Sequence, residues 1–312
     1  MLKKIFISIV LLIAVLSFVV SLLGGKNKLV GNKEPVVKGD KVAVIRVEGT
    51  ITSGGPEGTR LFSEATGANS SRIMQQLRKA AKDKSVKGVL LQINSPGGSV
   101  TAAEEITREI QRYKETSKKP IMASFGDTGA SAAYYIAAPC DKIYANASTL
   151  TGSIGVYMNS KNLEELYKKI GVTDVMIKSG VHKDIMSASR PMTEEERAII
   201  QNMVNEMYEQ FLTTVSTGRN IPVEQVGALA DGRVYTGKQA KDLQLVDEIG
   251  NYYDALDGLG VAVGIKGTPA VVEYGVVRDW QSWFTGELAR KISTQLLESW
   301  QLKETATPWT KG

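Results

Sequence analysis

Four short apolar runs constrain this chain more than any other feature: the β-branched Val42–Val47, then Lys87–Asn94, Pro120–Phe125 and Lys142–Ala145, with Val175–Lys178 as an expected fifth. Runs that are apolar at consecutive positions have no polar face, so they need cover on both sides, as parallel strands between helical layers have. The segments between them have helical periodicity. Ser71–Lys84 places Ile73, Met74, Leu77, Ala80 and Ala81 on one face, and Thr101–Ser117 reads as a second helix. Thr193 opens a long helix to about Thr217, with Glu194, Glu195 and Glu196 in its first turn, where the helix dipole favours acids. Asp231–Gly250 reads as a helical turn between polar loops. The alternation predicts an α/β fold with a mostly parallel sheet flanked by helices.

The N-terminus is of another kind. Ile5–Leu23 carries no charge and follows Lys3 and Lys4, close to the roughly 20 residues that span a bilayer. It exceeds the roughly 7–15 apolar residues of a cleaved signal peptide, and Leu22-Leu23-Gly24-Gly25 lacks a small-x-small cleavage site. The expected organisation is a transmembrane anchor over 1–25, a linker over 26–40, one large domain over 41–265, and a C-terminal extension over 266–312. That extension holds an amphipathic helix at Glu287–Gln301 and a polar tail. Signal-like N-termini direct export, so the body is expected on the extracytoplasmic side of the cell membrane, as a single-pass protein.

Composition excludes several classes. The net charge of +5 is spread over 312 residues without a basic block or interleaved aromatics, which fits weak attraction to membrane lipid and argues against nucleic acid. Cys140 is alone, so neither an intramolecular disulfide nor a thiolate cluster can form. No cluster of His, Asp and Glu offers metal ligands, and no cofactor is expected. His182 is the sole histidine. A Ser-His-Asp mechanism would have to pass through it, and no acidic partner stands at a fixed spacing from it.

The remaining chemistry centres on Ser131, flanked by Gly129, Ala130, Ala132 and Ala133 where a strand feeds a helix. Small neighbours let a substrate backbone approach, and a helix N-terminus presents free N–H groups to an oxyanion. The competing reading is that Ser131 merely caps the helix. With histidine so scarce, the candidate base is a lysine, and Lys183 and Lys178 compete for that role. Either amine must be desolvated to lose its proton near neutral pH. The glycine loop at Asn94–Ser99 offers a backbone donor from Gly98, and Ser153 is able to orient an amine or cap a turn.

Together these segments resemble the signal peptide peptidase A family of bacterial membrane-bound Ser-Lys peptidases, from about Val42 to Gly250. The matching motifs are INSPGGSV (Ile93–Val100), GDTGASAAYYIA (Gly126–Ala137), TLTGSIGV (Thr149–Val156), SGVHKDIMS (Ser179–Ser187) and ADGRVYTGKQA (Ala230–Ala240). The resemblance implies Ser131 as nucleophile, Lys183 as general base, Ser153 holding the lysine amine, and oxyanion donors at Gly98 and Ala132. It implies a superhelical fold of the Clp protease and crotonase type, with protomers in a homo-oligomeric ring whose sites face inward. The implied substrates are signal peptides left in the membrane after preprotein cleavage, and other apolar peptides. One departure is clear: the family usually has Gly-Gly after the nucleophile, and this chain has Ala132-Ala133, whose methyls are expected to narrow the pocket or alter the turn. The rival readings are a crotonase-like acyl-CoA enzyme and a non-catalytic membrane-tethered scaffold.

Overall fold

Residue parity along the first strand, β1 (Lys41–Glu48), sets the architecture: Ala43, Ile45 and Val47 join one buried cluster, and Val42 and Val44 join another on the opposite face. The computed structural model describes residues 39–54 and 67–274. The anchor expected at 1–25, nearly all of the linker, and the helix expected at Glu287–Gln301 lie outside those residues. Among the described residues no helix is long and apolar enough to cross a membrane.

The chain continues through β2 (Ile51–Thr52), β3 (Ala68–Asn69), α1 (Ser70–Lys82), β4 (Val86–Ser95), α2 (Val100–Ser117), β5 (Ile121–Ala130) and α3 (Ala132–Ala137). Then follow β6 (Lys142–Ala145), β7 (Leu150–Gly152), α4 (Glu164–Lys169), α5 (Glu194–Arg219), α6 (Val223–Leu229), β8 (Val234–Thr236), α7 (Gly237–Asp242), β9 (Glu248–Ile249), α8 (Tyr252–Ala262) and β10 (Ala270–Glu273). The main sheet has eight strands; the path β10-β1-β4-β5-β6-β9 is parallel, and β7 and β8 branch from β5. On one face Ile45, Leu91, Ile93 and Phe125 pack with Ile73 and Leu77 of α1 and Ile106 and Ile110 of α2. On the other, Val44, Leu90 and Met122 meet Leu256 and Leu259 of α8. Each such side chain contributes about 1.5–3 kcal/mol by leaving water. Two-sided burial is why these strands read as unbroken apolar runs. Cys140 lies in the first cluster, where burial pushes its thiol up to about 12 and keeps it protonated.

Two expectations about strands change. Val175–Lys178 forms no strand; Val175 and Ile177 are 77% and 94% exposed. β-propensity yields a strand only where a neighbouring edge pairs with it, and this segment belongs to an arm with no buried residue from Gly155 to Glu195. Conversely, β5 does not stop at Phe125 but runs to Ala130 by changing partner. Through Phe125 it pairs with β6, and from Thr128 to Ala130 it pairs with β7. Short strands also replace the expected loops: β8 and β9 flank α7 within Asp231–Gly250, and β10 carries the sheet past residue 265.

Candidate active site

The extension of β5 delivers Ser131. Its ladder with β4 shifts register between Ile93 and Ser95, and the Thr128 N–H donates to Asn94 Oδ1 at 3.1 Å. From the other side, the buried Thr151 hydroxyl donates to the Gly129 carbonyl at 2.7 Å. The chain then turns sharply: Ser131 has φ 55° and ψ −126°, a conformation that L-residues seldom adopt and that tends to occur at functional sites. The Ser131 N–H donates to Gly152 O at 2.8 Å, and the Ser131 carbonyl accepts from Tyr135 N at 2.9 Å to close the first turn of α3.

The Ser131 side chain makes no capping hydrogen bond. That argues against the capping reading, because a capping serine uses its hydroxyl on the helix N–H groups. Here the hydroxyl stays available.

The glycine loop lies against this turn. A Cβ on Gly97 would sit 2.8 Å from Ser131 Cβ and 3.0 Å from Ala132 N. Gly97 (φ 107°) is itself fixed by its N–H donating to Ser95 Oγ at 3.1 Å. Gly98 (φ 154°) forms a parallel bridge with Ile51, in which Ile51 N donates to Gly97 O and Ser99 N to Ile51 O, each at 2.9 Å. Both bonds bypass the Gly98 N–H. Gly98, Ser131 and Ala132 line a small cleft walled by Val100, Ala103, Tyr135, Met207 and Phe211. Tyr135 and Phe211 are in tilted ring contact at 4.9 Å. Of the two alanines that replace the expected glycines, Ala132 lines the cleft and Ala133 is fully buried in the core.

Ser153 stands next to Gly152, whose carbonyl receives the Ser131 N–H, and is held at φ 49° with its own N–H donating to Arg233 O at 2.8 Å. The antiparallel pairing of β7 with β8 supports this arrangement. The fold therefore brings Ser131, Gly98 and Ala132 together, with Ser153 next to the Gly152 carbonyl that holds the Ser131 N–H but not itself among the cleft walls. It does not place Lys183 among the cleft walls: that side chain is exposed on the turns that follow Lys178.

Lys178 is already engaged, donating to Asp184 Oδ1 at 2.6 Å and to Val181 O at 2.9 Å. Neither Lys178 nor Lys183 is among the cleft walls. His182 has acidic neighbours that the sequence could not show: its Nε2 lies 3.6 Å from Glu195 and its Nδ1 4.0 Å from Glu196. Those carboxylates arrive on the first turn of α5, a tertiary contact with no fixed spacing. Sequence reasoning missed Asn94, Ser95 and Thr151 as supports of the Ser131 turn. The only signal was their place beside the glycine and serine motifs.

Similarity to known proteins agrees with this geometry. A family model for Clp protease matches residues 59–151, and one for peptidase family S49 matches residues 113–266. A Methanocaldococcus jannaschii protein named as a protease is 36% identical over 88% of this chain and 87% of its own length. The chain belongs to peptidase family S49. A chain of Enterococcus faecium that carries the name signal peptide peptidase SppA is 44% identical over 70% of this chain and 62% of its own length. The chloroplastic serine protease SPPA of Arabidopsis thaliana is 33% identical over 70% of this chain but only 32% of its own length. As an S49 member the chain is a serine peptidase, and its mostly parallel α/β architecture agrees with the Clp protease match. The acyl-CoA and scaffold readings are not favoured.

Proposed function

We propose that this S49 peptidase is a membrane-anchored Ser-Lys endopeptidase that degrades signal peptides left in the bilayer after preprotein processing. The observation that carries the reading is the strained Ser131 turn, whose uncommitted hydroxyl sits beside the Gly97-Gly98 loop in an apolar cleft. Lys183 takes the Ser131 proton as Oγ attacks the scissile carbonyl carbon. The resulting oxyanion is held by the N–H groups of Gly98 and Ala132. Collapse breaks the C–N bond, and Lys183 returns its proton to the leaving amine. Water then attacks the acyl-enzyme, Lys183 accepts the water proton and passes it to the departing Ser131 oxygen. Ser153 holds the lysine amine throughout.

A neutral lysine needs a dry surrounding. The arm from Gly155 to Glu195 buries no apolar side chain of its own and exposes Tyr157, Ile170, Val175, Ile177 and Val181. Packing of this arm against neighbouring copies in a ring covers that surface and dries Lys183. The Ile5–Leu23 anchor holds the protein in the cell membrane with the catalytic domain extracytoplasmic, which raises the local concentration of membrane-embedded peptides. An apolar cleft suits their side chains. In this organisation residues 1–25 anchor, 26–40 link, the catalytic domain begins at 41, and the remainder forms the C-terminal extension.

The test uses the full-length chain in detergent micelles with a fluorogenic apolar peptide. Wild type turns over and is acylated at Ser131 by a serine-reactive probe, while Ser131→Ala and Lys183→Ala do neither. Equal turnover in all three overturns the assignment.

A further inference from the structure

The segment carrying Lys183 is built of turns rather than regular structure, yet one side chain ties it down. The Asp184 carboxylate accepts from Arg190 Nε at 2.9 Å and from Arg190 Nη2 at 2.8 Å. The same guanidinium donates from Nη1 and Nη2 to Glu196 at 2.8 and 2.6 Å, and from Nη1 to Pro191 O at 3.0 Å. All of its N–H donors are thereby used. The Asp184 and Glu196 side chains are only 6% and 2% exposed. A lysine at 190 would be a single point charge and could not fork onto both carboxylates.

Each end of this bridge leads to the site. Asp184 is covalently next to Lys183. Glu196 lies in the first turn of α5, the helix whose Met207 and Phe211 wall the cleft beside Ser131. Two simpler roles for Arg190 are already filled by other groups. Thr193 and Glu196 cap α5 reciprocally through hydrogen bonds of 3.2 and 3.0 Å, and Lys178 supplies Asp184 with a second cation at 2.6 Å.

We infer that Arg190 is a positioning residue for Lys183, locking the lysine-bearing turn to α5 by bridging Asp184 and Glu196. The inference rests on Lys183 being the base of the proposed dyad. The charged and titratable groups around the bridge are Lys178 and His182 from the turns and Glu195 and Glu196 from α5, with Lys183 next to Asp184 in the chain. Removing the guanidinium frees the turn and leaves Asp184 and Glu196 with less positive charge between them. Both consequences favour the charged form of Lys183.

The experiment measures kcat and KM against pH for the full-length chain in detergent micelles, comparing wild type, Arg190→Met, Arg190→Lys and Lys183→Ala. Arg190→Met is expected to lose on the order of 10²-fold in kcat at neutral pH, with KM little changed. The acidic limb of its kcat profile moves to higher pH, and added guanidinium restores part of the activity. Arg190→Lys stays impaired. A wild-type profile for Arg190→Met overturns the inference. So does a loss of activity with an unmoved acidic limb and no guanidinium rescue, which marks a purely structural arginine. Lys183→Ala separates the two readings: if it remains active the dyad itself fails, and if it is inactive the Arg190 result stands alone.

Discussion

The Ser131 N–H and the Gly152 carbonyl, 2.8 Å apart, join the Ser131 turn to the strand end that carries Ser153. Ser131, Gly152 and Ser153 all have positive φ, at 55°, 77° and 49°, so two strained turns hold one another in place. Strain of this kind persists only where neighbouring contacts over-determine it. The Gly97-Gly98 loop, Thr151 and Asn94 provide them.

Gly97→Ala should cripple Ser131 in its proposed role. The new methyl would lie 2.8 Å from Ser131 Cβ and 3.0 Å from Ala130 O, at a residue with φ 107°. A displacement of about 1 Å at a reacting atom costs on the order of 10²-fold in rate. Steady-state kcat together with labelling of Ser131 by an acylating probe checks this; a variant that labels at the wild-type rate contradicts it.

Thr151→Val removes the buried hydroxyl that donates to Gly129 O at 2.7 Å. The expected loss is about 0.5–1.5 kcal/mol of stability, the net worth of one hydrogen bond, with a fall in kcat because Gly129-Ala130 leads directly into Ser131. Denaturant midpoints and kcat measured on the same sample test both effects, and an unchanged midpoint would rule out the first.

Phe211→Ala opens the cleft opposite Val100 and Ala103 and deletes the ring contact with Tyr135 at 4.9 Å. Loss of a buried phenylalanine costs about 3–5 kcal/mol. In the molecules that remain folded, relative kcat/KM should move toward peptides with bulkier side chains at the scissile position. A peptide series varied at that position reads the shift directly.

The Glu196 carboxyl is held at about 2, below its ordinary 4.5, by hydrogen bonds from Arg190 and then by the Thr193 N–H. Its folded-state value is depressed, so its stabilisation is fully present above pH 4.5 and is lost as pH falls through about 2. Amide exchange over the first turn of α5, corrected for intrinsic rates, should speed up across that window in wild type. In Glu196→Gln it should already be fast at pH 6. A pH-independent wild-type pattern would contradict the assignment.

Much of the layered sheet was legible because burial on both faces writes itself into the strands as unbroken apolar runs, as in Lys41–Glu48 and Val86–Ser95. The failures have physical causes. Val175–Lys178 has strand composition and no pairing partner, whereas Thr128–Ala130 looks like a loop and becomes strand because β7 presents an edge to it.

The sequence by itself determined which chemistry was open to this protein. One histidine, one cysteine and a serine among small residues at a strand-to-helix junction left a serine nucleophile with a lysine base as the economical reading. Only the tertiary structure decided that the Ser131 hydroxyl does not cap its helix, that Lys178 is spent on Asp184, and that Arg190 bridges Asp184 to Glu196. Residue types and their spacing specify which groups exist and how local segments fold. Which donor meets which acceptor depends on contacts between segments distant along the chain, and those are settled by packing.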